Sequence, residues 1–351
     1  MRAVKIHGAR DVRLHARLPE PVLGPGEVLV RVRAVGVCGS DLHYYLEGGI
    51  GQAQIEAPLT PGHELSGEVA GGTGEPYGLA DGTLVAVDPA QPCGRCEQCA
   101  AGHPNLCPYV CFLGSPGVDG GLCDLISVPP GNLFPVPEGF DAALTALLEP
   151  LGVAVHAVDI TNLRPGSGVA VLGGGPIGLM LAQVAKVAGA AHVRLIEPNA
   201  WRREAALSLG ADWVHADYRE ALDATSGRGE DCVLEATNSS EGPEHAAQLA
   251  RVGGKVTLVG IPEGDSFTMT AGNARRKGLT VRFSRRMGHV YPRAIALVAE
   301  GRVNIKPIAS NAYPLERSGE AFEAGARLEE GYLKAVIYPS ERVDACRDRS
   351  V

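Results

Sequence analysis

The chain has 351 residues, 21% charged and 45% hydrophobic, with 32 basic and 40 acidic side chains and a net charge of −8. At about 150 residues per domain, two domains are the natural expectation. This ordinary composition excludes disorder, and the acidic balance argues against nucleic-acid and anionic-membrane partners. The longest apolar region, Gly168 to Ala191, is broken by Gln183 and Lys186. It falls short of ~18 uninterrupted apolar residues, so no membrane span is expected. Arg2, Lys5, Arg10, Asp11 and Arg13 leave no signal-like apolar segment near Met1, and a cytoplasmic location is the default expectation. Four of the nine cysteines cluster within Cys93–Cys107. In such a chain that clustering points to metal rather than disulfides.

Residues 1–150 read as mostly β. Val28 to Gly36 mixes alternation with an apolar run, short strands follow at Gly67–Ala70 and Thr83–Val87, and Gly and Pro punctuate the stretch. An antiparallel, barrel-like domain is expected. The pattern changes after Glu149-Pro150. Val153–Val158 reads as helix, Gly168–Leu172 as a short apolar strand and Leu179–Ala188 as helix. His192–Ile196, Asp231–Ala236 and Lys255–Gly260 read as further strands, with helices at Glu204–Leu209 and Glu244–Ala250. Strands alternating with helices predict a doubly wound parallel sheet, an α/β fold. A helix at Tyr291–Glu300 and a strand at Lys334–Tyr338 return to mixed character, and the tail from Ser340 to Val351 is polar and expected to fray.

Gly173-Gly-Gly-Pro-Ile-Gly178 matches G-x-G-x-x-G at Gly173, Gly175 and Gly178, after a predicted strand and before a predicted helix. Such a turn brings backbone N–H groups to a pyrophosphate. Glu197 closes the next strand, where a carboxylate accepts from both ribose hydroxyls and repels a 2′-phosphate. That favours NAD, although Arg202 and Arg203 stand close enough in sequence to keep NADP open.

Cys93, Cys96, Cys99 and Cys107 have the spacing of a four-thiolate zinc site. Such a closed set is structural, with an iron–sulfur cluster as the rival. Upstream lie Cys38-Gly-Ser-Asp-Leu-His43 and Gly62-His63-Glu64. Cys, His and carboxylate can ligate zinc and leave a position open, although each residue alone is more often structural.

These motifs, with Gly36-Val-Cys38 and Leu148-Glu149-Pro150, make the chain resemble the zinc-dependent medium-chain alcohol dehydrogenases over nearly its whole length. Cys38 to Tyr44, Glu149-Pro150 and Arg286 ahead of Tyr291-Pro-Arg resemble the polyol branch, the sorbitol and xylitol dehydrogenases. The resemblance implies a GroES-like, mostly-β catalytic domain over 1–151 and 290–351. A Rossmann NAD-binding domain would occupy 152–289. It implies two zinc ions per chain, catalytic and structural, and a homo-oligomer, tetramer or dimer.

The implied catalytic zinc ligands are Cys38, His63 and Glu64, with Glu149 meeting the metal directly, through its water, or in exchange with Glu64. Ser40 and His43 would pass the alcohol proton towards solvent. Tyr44 and Arg286 would contact substrate hydroxyls, and Ile177, Glu197, Arg202, Val259 and Ile261 would lie along the cofactor. The implied reaction oxidises a secondary alcohol of a polyol or sugar-derived substrate to a ketone, through a zinc alkoxide and hydride transfer to nicotinamide C4. Met287 stands where the mammalian sorbitol enzymes have tyrosine, and Arg285 and His289 are additions. They open alternatives: a sugar acid of idonate type, an amino-alcohol or a cyclitol. A zinc-free reductase relative and a nucleic-acid-binding zinc protein fit the residues poorly. A non-enzymatic structural relative is the alternative class. Cys111, Cys123, Cys232 and Cys346 take no role.

Overall fold

The computed structural model describes residues 1–74 and 77–340. They form two compact units. The first takes Met1–Cys93, Tyr109–Glu149 and the chain from Lys306 onward, and the second takes Gly94–Pro108 and Pro150–Ile305.

A seven-stranded sheet carries the first unit. Its order is Leu133–Pro135, Leu84–Val87, Glu64–Gly72, Val28–Gly36, Lys334–Tyr338 and Ala309–Pro314, with Leu125–Val128 also paired to Val28–Gly36. All pairs are antiparallel except the edge pair Ala309–Pro314 with Lys334–Tyr338. In Val28–Gly36 the side chains of Val28, Val30 and Val32 are buried while Arg31 is exposed, the period of two that a sheet with one buried face requires. They pack with Ile6, Leu65, Val87, Ile337 and Phe322 in the core.

Two helices in this unit, Gly39–Glu47 and Ser318–Arg327, lie where the sequence reads as β or undefined. The first is short. It is held at its start by Asp41 Oδ2, which accepts from the Cys38 N–H at 2.9 Å, and it stops at Gly48 with φ 77°.

Six parallel strands carry the second unit, in the order Trp213–His215, His192–Ile196, Gly168–Leu172, Glu230–Glu235, Ala250–Leu258 and Thr280–Phe283. This is the strand order of a doubly wound dinucleotide-binding sheet. Gly168–Leu172 and His192–Ile196 take the bounds the sequence predicts. The two edge strands are short and partly exposed, so no buried apolar run announces them.

The return to the first unit comes at Lys306, later than the expected 290. The helix Tyr291–Ala299 stays in the second unit, where Arg293 Nη1 donates to Asp159 Oδ1 at 3.0 Å. Gln183 and Asn304 exchange two hydrogen bonds just before the return. The cysteine loop from Gly94 to Pro108 also belongs to the second unit: Asn105 Nδ2 donates to the Arg285 carbonyl at 3.1 Å.

Among the described residues the helical run Ala142–Thr161, 20 residues long, is long and apolar enough to cross a bilayer, and 72% of its apolar window is buried inside the protein. The burial identifies a core helix. Cys111 is exposed, and Cys123 and Cys232 are buried. The frayed tail expected after Ser340, with Cys346, lies outside the described residues.

Phe322 is fully buried and its ring lies 5.4 Å from that of Tyr45. Phe322→Ala is expected to destabilise the first unit by about 3–5 kcal/mol. Urea unfolding followed by Tyr and Trp emission checks this. An unchanged midpoint would show that the unit does not depend on this core.

Candidate active site

Three strand ends meet at one end of the first sheet. Val28–Gly36 finishes just before Cys38, Glu64–Gly72 starts just after His63, and Lys334–Tyr338 starts at Lys334. The register sets Gly36 opposite both Glu64 and Val336. As a result, ligating atoms of Cys38, His63 and Glu64 lie within 4.8 Å of one another. Glu149, in the first turn of the helix Leu148–Thr161, has His63, Glu64, Cys38 and Lys334 as its charged neighbours. Gly36 makes room for this. A Cβ there would stand 2.3 Å from Glu64 Oε2.

Burial dominates the electrostatics. It pushes the Cys38 thiol up to about 12, with the Glu64 charge adding and the Lys334 charge opposing. Burial likewise holds Glu149 well above the usual carboxylate range, opposed by His63 and reinforced by Glu64 and Cys38. Asp41 is raised by burial and opposed by His63. Burial pulls the Lys334 ammonium down, yet Glu64 and Cys38 keep it above the ordinary amine value. Lys334 Nζ donates to Glu64 Oε1 at 2.5 Å, to Glu64 Oε2 at 2.7 Å and to the Val37 carbonyl at 3.1 Å.

His63 Nδ1 is buried without a hydrogen-bond partner, 3.7 Å from Asp41 Oδ1. Its ring packs on Phe112 at 5.3 Å. A thiol, an imidazole with an unpartnered nitrogen and two carboxylates in one buried place suit a zinc ion. A dication also offsets the anionic excess that drives these groups towards their neutral forms.

The four cysteines of the 93–107 loop bring their sulfurs within 4.8 Å of one another. Cys96 Sγ is 3.5 Å from Cys99 Sγ and 3.8 Å from Cys107 Sγ. Tetrahedral zinc with ordinary zinc–sulfur bonds separates its sulfurs by about 3.8 Å. A disulfide would need about 2.05 Å. The loop therefore fits a closed four-thiolate zinc.

In the second unit, Gly168–Leu172 runs into the glycine loop and Pro176–Val187 opens at Gly175. Gly173 has φ 101°, and a Cβ on Gly178 would stand 1.8 Å from the Gly173 carbonyl oxygen. The turn admits no side chain at either position. Glu197 is buried: Oε2 accepts from the Gly174 N–H at 2.8 Å and Oε1 from the Asn199 N–H at 2.9 Å. Arg203 Nη1 is held by the Glu197 and Pro198 carbonyls at 2.8 and 2.7 Å. Arg202 lies along Trp201, its guanidinium carbon 5.2 Å from the ring centre. Ile177 is half-buried in the first helical turn, and Val259 and Ile261 follow the strand Ala250–Leu258.

Ser40 and His43 share the helix Gly39–Glu47, one turn apart. The Ser40 side chain hydrogen-bonds to Cys38, and His43 Nδ1 lies 2.7 Å from Glu47 Oε1. Tyr44 is buried in the first core and Arg286 is half-buried in the second unit with φ 54°. Arg285 and His289 are exposed. Lys334 has no role in the sequence reading. Its one signal is a charged residue opening an apolar strand. Asp41 was visible only as part of a motif.

Residues 24–138 match the alcohol dehydrogenase GroES-like domain, and residues 176–300 match the zinc-binding dehydrogenase domain. The chain is 35% identical to a sorbitol dehydrogenase of Bacillus subtilis over 97% of this chain and 98% of that one. It superposes on an L-idonate 5-dehydrogenase of Escherichia coli with a TM-score of 0.89, at 28% identity over 96% and 98% of the two chains. A zinc-binding dehydrogenase of Sinorhizobium meliloti, bound to NADP, gives a TM-score of 0.85 at 31% identity over 96% and 99%. With both its domains and its two clusters of metal-binding side chains accounted for, the chain belongs to the zinc-dependent medium-chain dehydrogenases, in their polyol branch, and is an oxidoreductase that works with zinc and a nicotinamide cofactor.

Proposed function

We propose that the chain oxidises a secondary hydroxyl of a polyol or sugar-derived substrate to a ketone, with NAD as acceptor. The convergence of Cys38, His63 and Glu64, with Glu149 as a charged neighbour, carries this reading. The names of the relatives, sorbitol and L-idonate dehydrogenases, support the substrate class.

Cys38, His63, Glu64 and Glu149 would hold the catalytic zinc, and Cys93, Cys96, Cys99 and Cys107 the structural one. The chemistry supplied by the bound groups is Lewis-acid polarisation of the hydroxyl oxygen and acceptance of hydride at nicotinamide C4. Asp41 lies beside the imidazole, its Oδ1 3.7 Å from His63 Nδ1, and adds negative charge next to the proposed metal. Ser40 and His43, one turn apart on the helix Gly39–Glu47, would pass the hydroxyl proton towards solvent, Ser40 Oγ giving up its own proton as it accepts. Glu47 holds His43 Nδ1 and fixes the ring. Tyr44 and Arg286 orient the remaining substrate hydroxyls.

The cofactor choice rests on Glu197. Its two oxygens are anchored by backbone N–H groups and keep further lone pairs for ribose hydroxyls. A 2′-phosphate beside a buried carboxylate is repelled. Arg203 is engaged by two backbone carbonyls, which leaves Arg202 as the residue that could favour NADP. Gly173, Gly175 and Gly178 shape the turn for the pyrophosphate, and Ile177, Val259 and Ile261 line the cofactor path.

The enzyme is read as cytoplasmic and homo-oligomeric. Self-association is supported by the edge strand Thr280–Phe283, where Phe283 is 67% exposed. Phe283→Lys should then lower the mass measured by light scattering. An unchanged mass would remove that edge from the interface.

Zinc content tests the central assignment. The wild type should carry two zinc ions per chain and Cys38→Ser one, with NAD reduction over a panel of polyols and sugar acids lost together with that zinc. One zinc in both proteins would confine the metal to the cysteine loop and end the reading. For the cofactor, Glu197→Ala should cost about 10–100-fold in kcat/KM with NAD, the scale of a lost charge-assisted hydrogen bond. It should cost far less with NADP. Equal losses with both cofactors would show that Glu197 only supports the loop.

A further inference from the structure

We propose that Lys334 is a positioning residue of the Cys38 centre, one that competes with the metal for the Glu64 carboxylate and lets it leave and return. The proposal rests on the zinc assignment above and deepens it.

Lys334 is 4% exposed and Glu64 1%. An ammonium has three donors. Here they go to the two oxygens of one carboxylate and to the Val37 carbonyl. A carboxylate that ligates through one oxygen ordinarily gives only the other to a supporting donor. A single cation engaging both is a rival for the ligand. The same carboxylate has an oxygen within 4.8 Å of a Cys38 and a His63 ligating atom.

A carboxylate leaving a metal in a buried site needs a charge to receive it, because an unpaired buried anion is strongly destabilising. Lys334 supplies that charge from a fixed place. It opens a strand paired to Val28–Gly36, and Val37 N–H donates to the Ala335 carbonyl next to it at 2.9 Å. Gly36 keeps the other side of the carboxylate clear, where a Cβ would collide with Oε2. Glu149 is the neighbouring carboxylate that can serve the metal while Glu64 is on Lys334.

Release of zinc from the Cys38 centre to a chromophoric chelator tests this, with the cysteine-loop zinc as the internal count. Wild type, Lys334→Met, Lys334→Gln and Lys334→Arg are compared, each also in a Glu64→Gln background. The two uncharged replacements keep the test decisive if one fails to fold. Without the competing ammonium, release should slow about tenfold, the size of effect that neighbours of ligands exert. Lys334→Arg should release at near the wild-type rate. In the Glu64→Gln background the replacements should have no effect. Faster or unchanged release in the uncharged variants, or an equal effect in the Glu64→Gln background, would overturn the proposal. Wild type without zinc at the Cys38 centre would instead overturn the zinc assignment.

Discussion

Burying several acidic groups in one place is the constraint on which the first unit turns. Cys38, Asp41, Glu64 and Glu149 lie close together, all raised by burial or paired to a buried cation. A folded core does not tolerate such a set as free anions. Backbone N–H groups of Cys38 and Gly62 serve Asp41, at 2.9 and 3.2 Å, and Lys334 serves Glu64. Cys38 and Glu149 are the groups whose charge the proposed zinc would offset. Zinc binding and the stability of this end of the sheet are therefore linked, since the ligands must lose protons to bind and the ion offsets their mutual repulsion. The sheet can hold such a set only because three strands begin or end there, so that side chains from distant parts of the sequence enter without interrupting the ladder.

The second unit solves a different problem with backbone rather than side chains. Its loop after Gly168–Leu172 has no space for a Cβ at Gly178 and needs positive φ at Gly173. Those two demands aim N–H groups at the start of the helix Pro176–Val187. Glu197 then ties the loop to the next strand through the Gly174 N–H. One carboxylate both stiffens the turn and presents its charge where an adenosine ribose would lie. A stiff turn matters here because a pyrophosphate is recognised by the direction of several N–H groups at once.

Local patterns were legible and long-range partners were not. The strands Gly168–Leu172 and His192–Ile196 are continuous apolar runs, and the cysteine spacing and glycine loop are contiguous motifs, so each could be read in place. Lys334 could not, because its burial comes from pairing with a strand about 300 positions earlier in the chain. The helix Gly39–Glu47 was hidden for another reason. It is capped by Asp41 and stopped by Gly48, but it is too short to show a helical period. The compact units divide at Lys306 rather than near 290 because Tyr291–Ala299 is amphipathic towards whichever core it meets, and tertiary contacts such as Arg293 with Asp159 assign it to the second unit.

Met287 shows how a departure from the sorbitol pattern can be structural. Its side chain is buried, and a Cβ on Gly152 would stand 2.4 Å from its sulfur. It is therefore a packing residue of the second unit rather than a residue that reads substrate. Arg286, just before it, has φ 54°, a conformation that costs an ordinary side chain about 1–3 kcal/mol. A buried neighbour is what can hold such a residue in place, because moving Arg286 to a relaxed conformation would pull Met287 out of its packing against Gly152. In the proposed reading Arg286 meets the substrate hydroxyls, and the exposed Arg285 and His289 add positive charge close to it in the chain. On that argument the chain should tolerate an acidic group on its substrate better than a relative that carries tyrosine at this position.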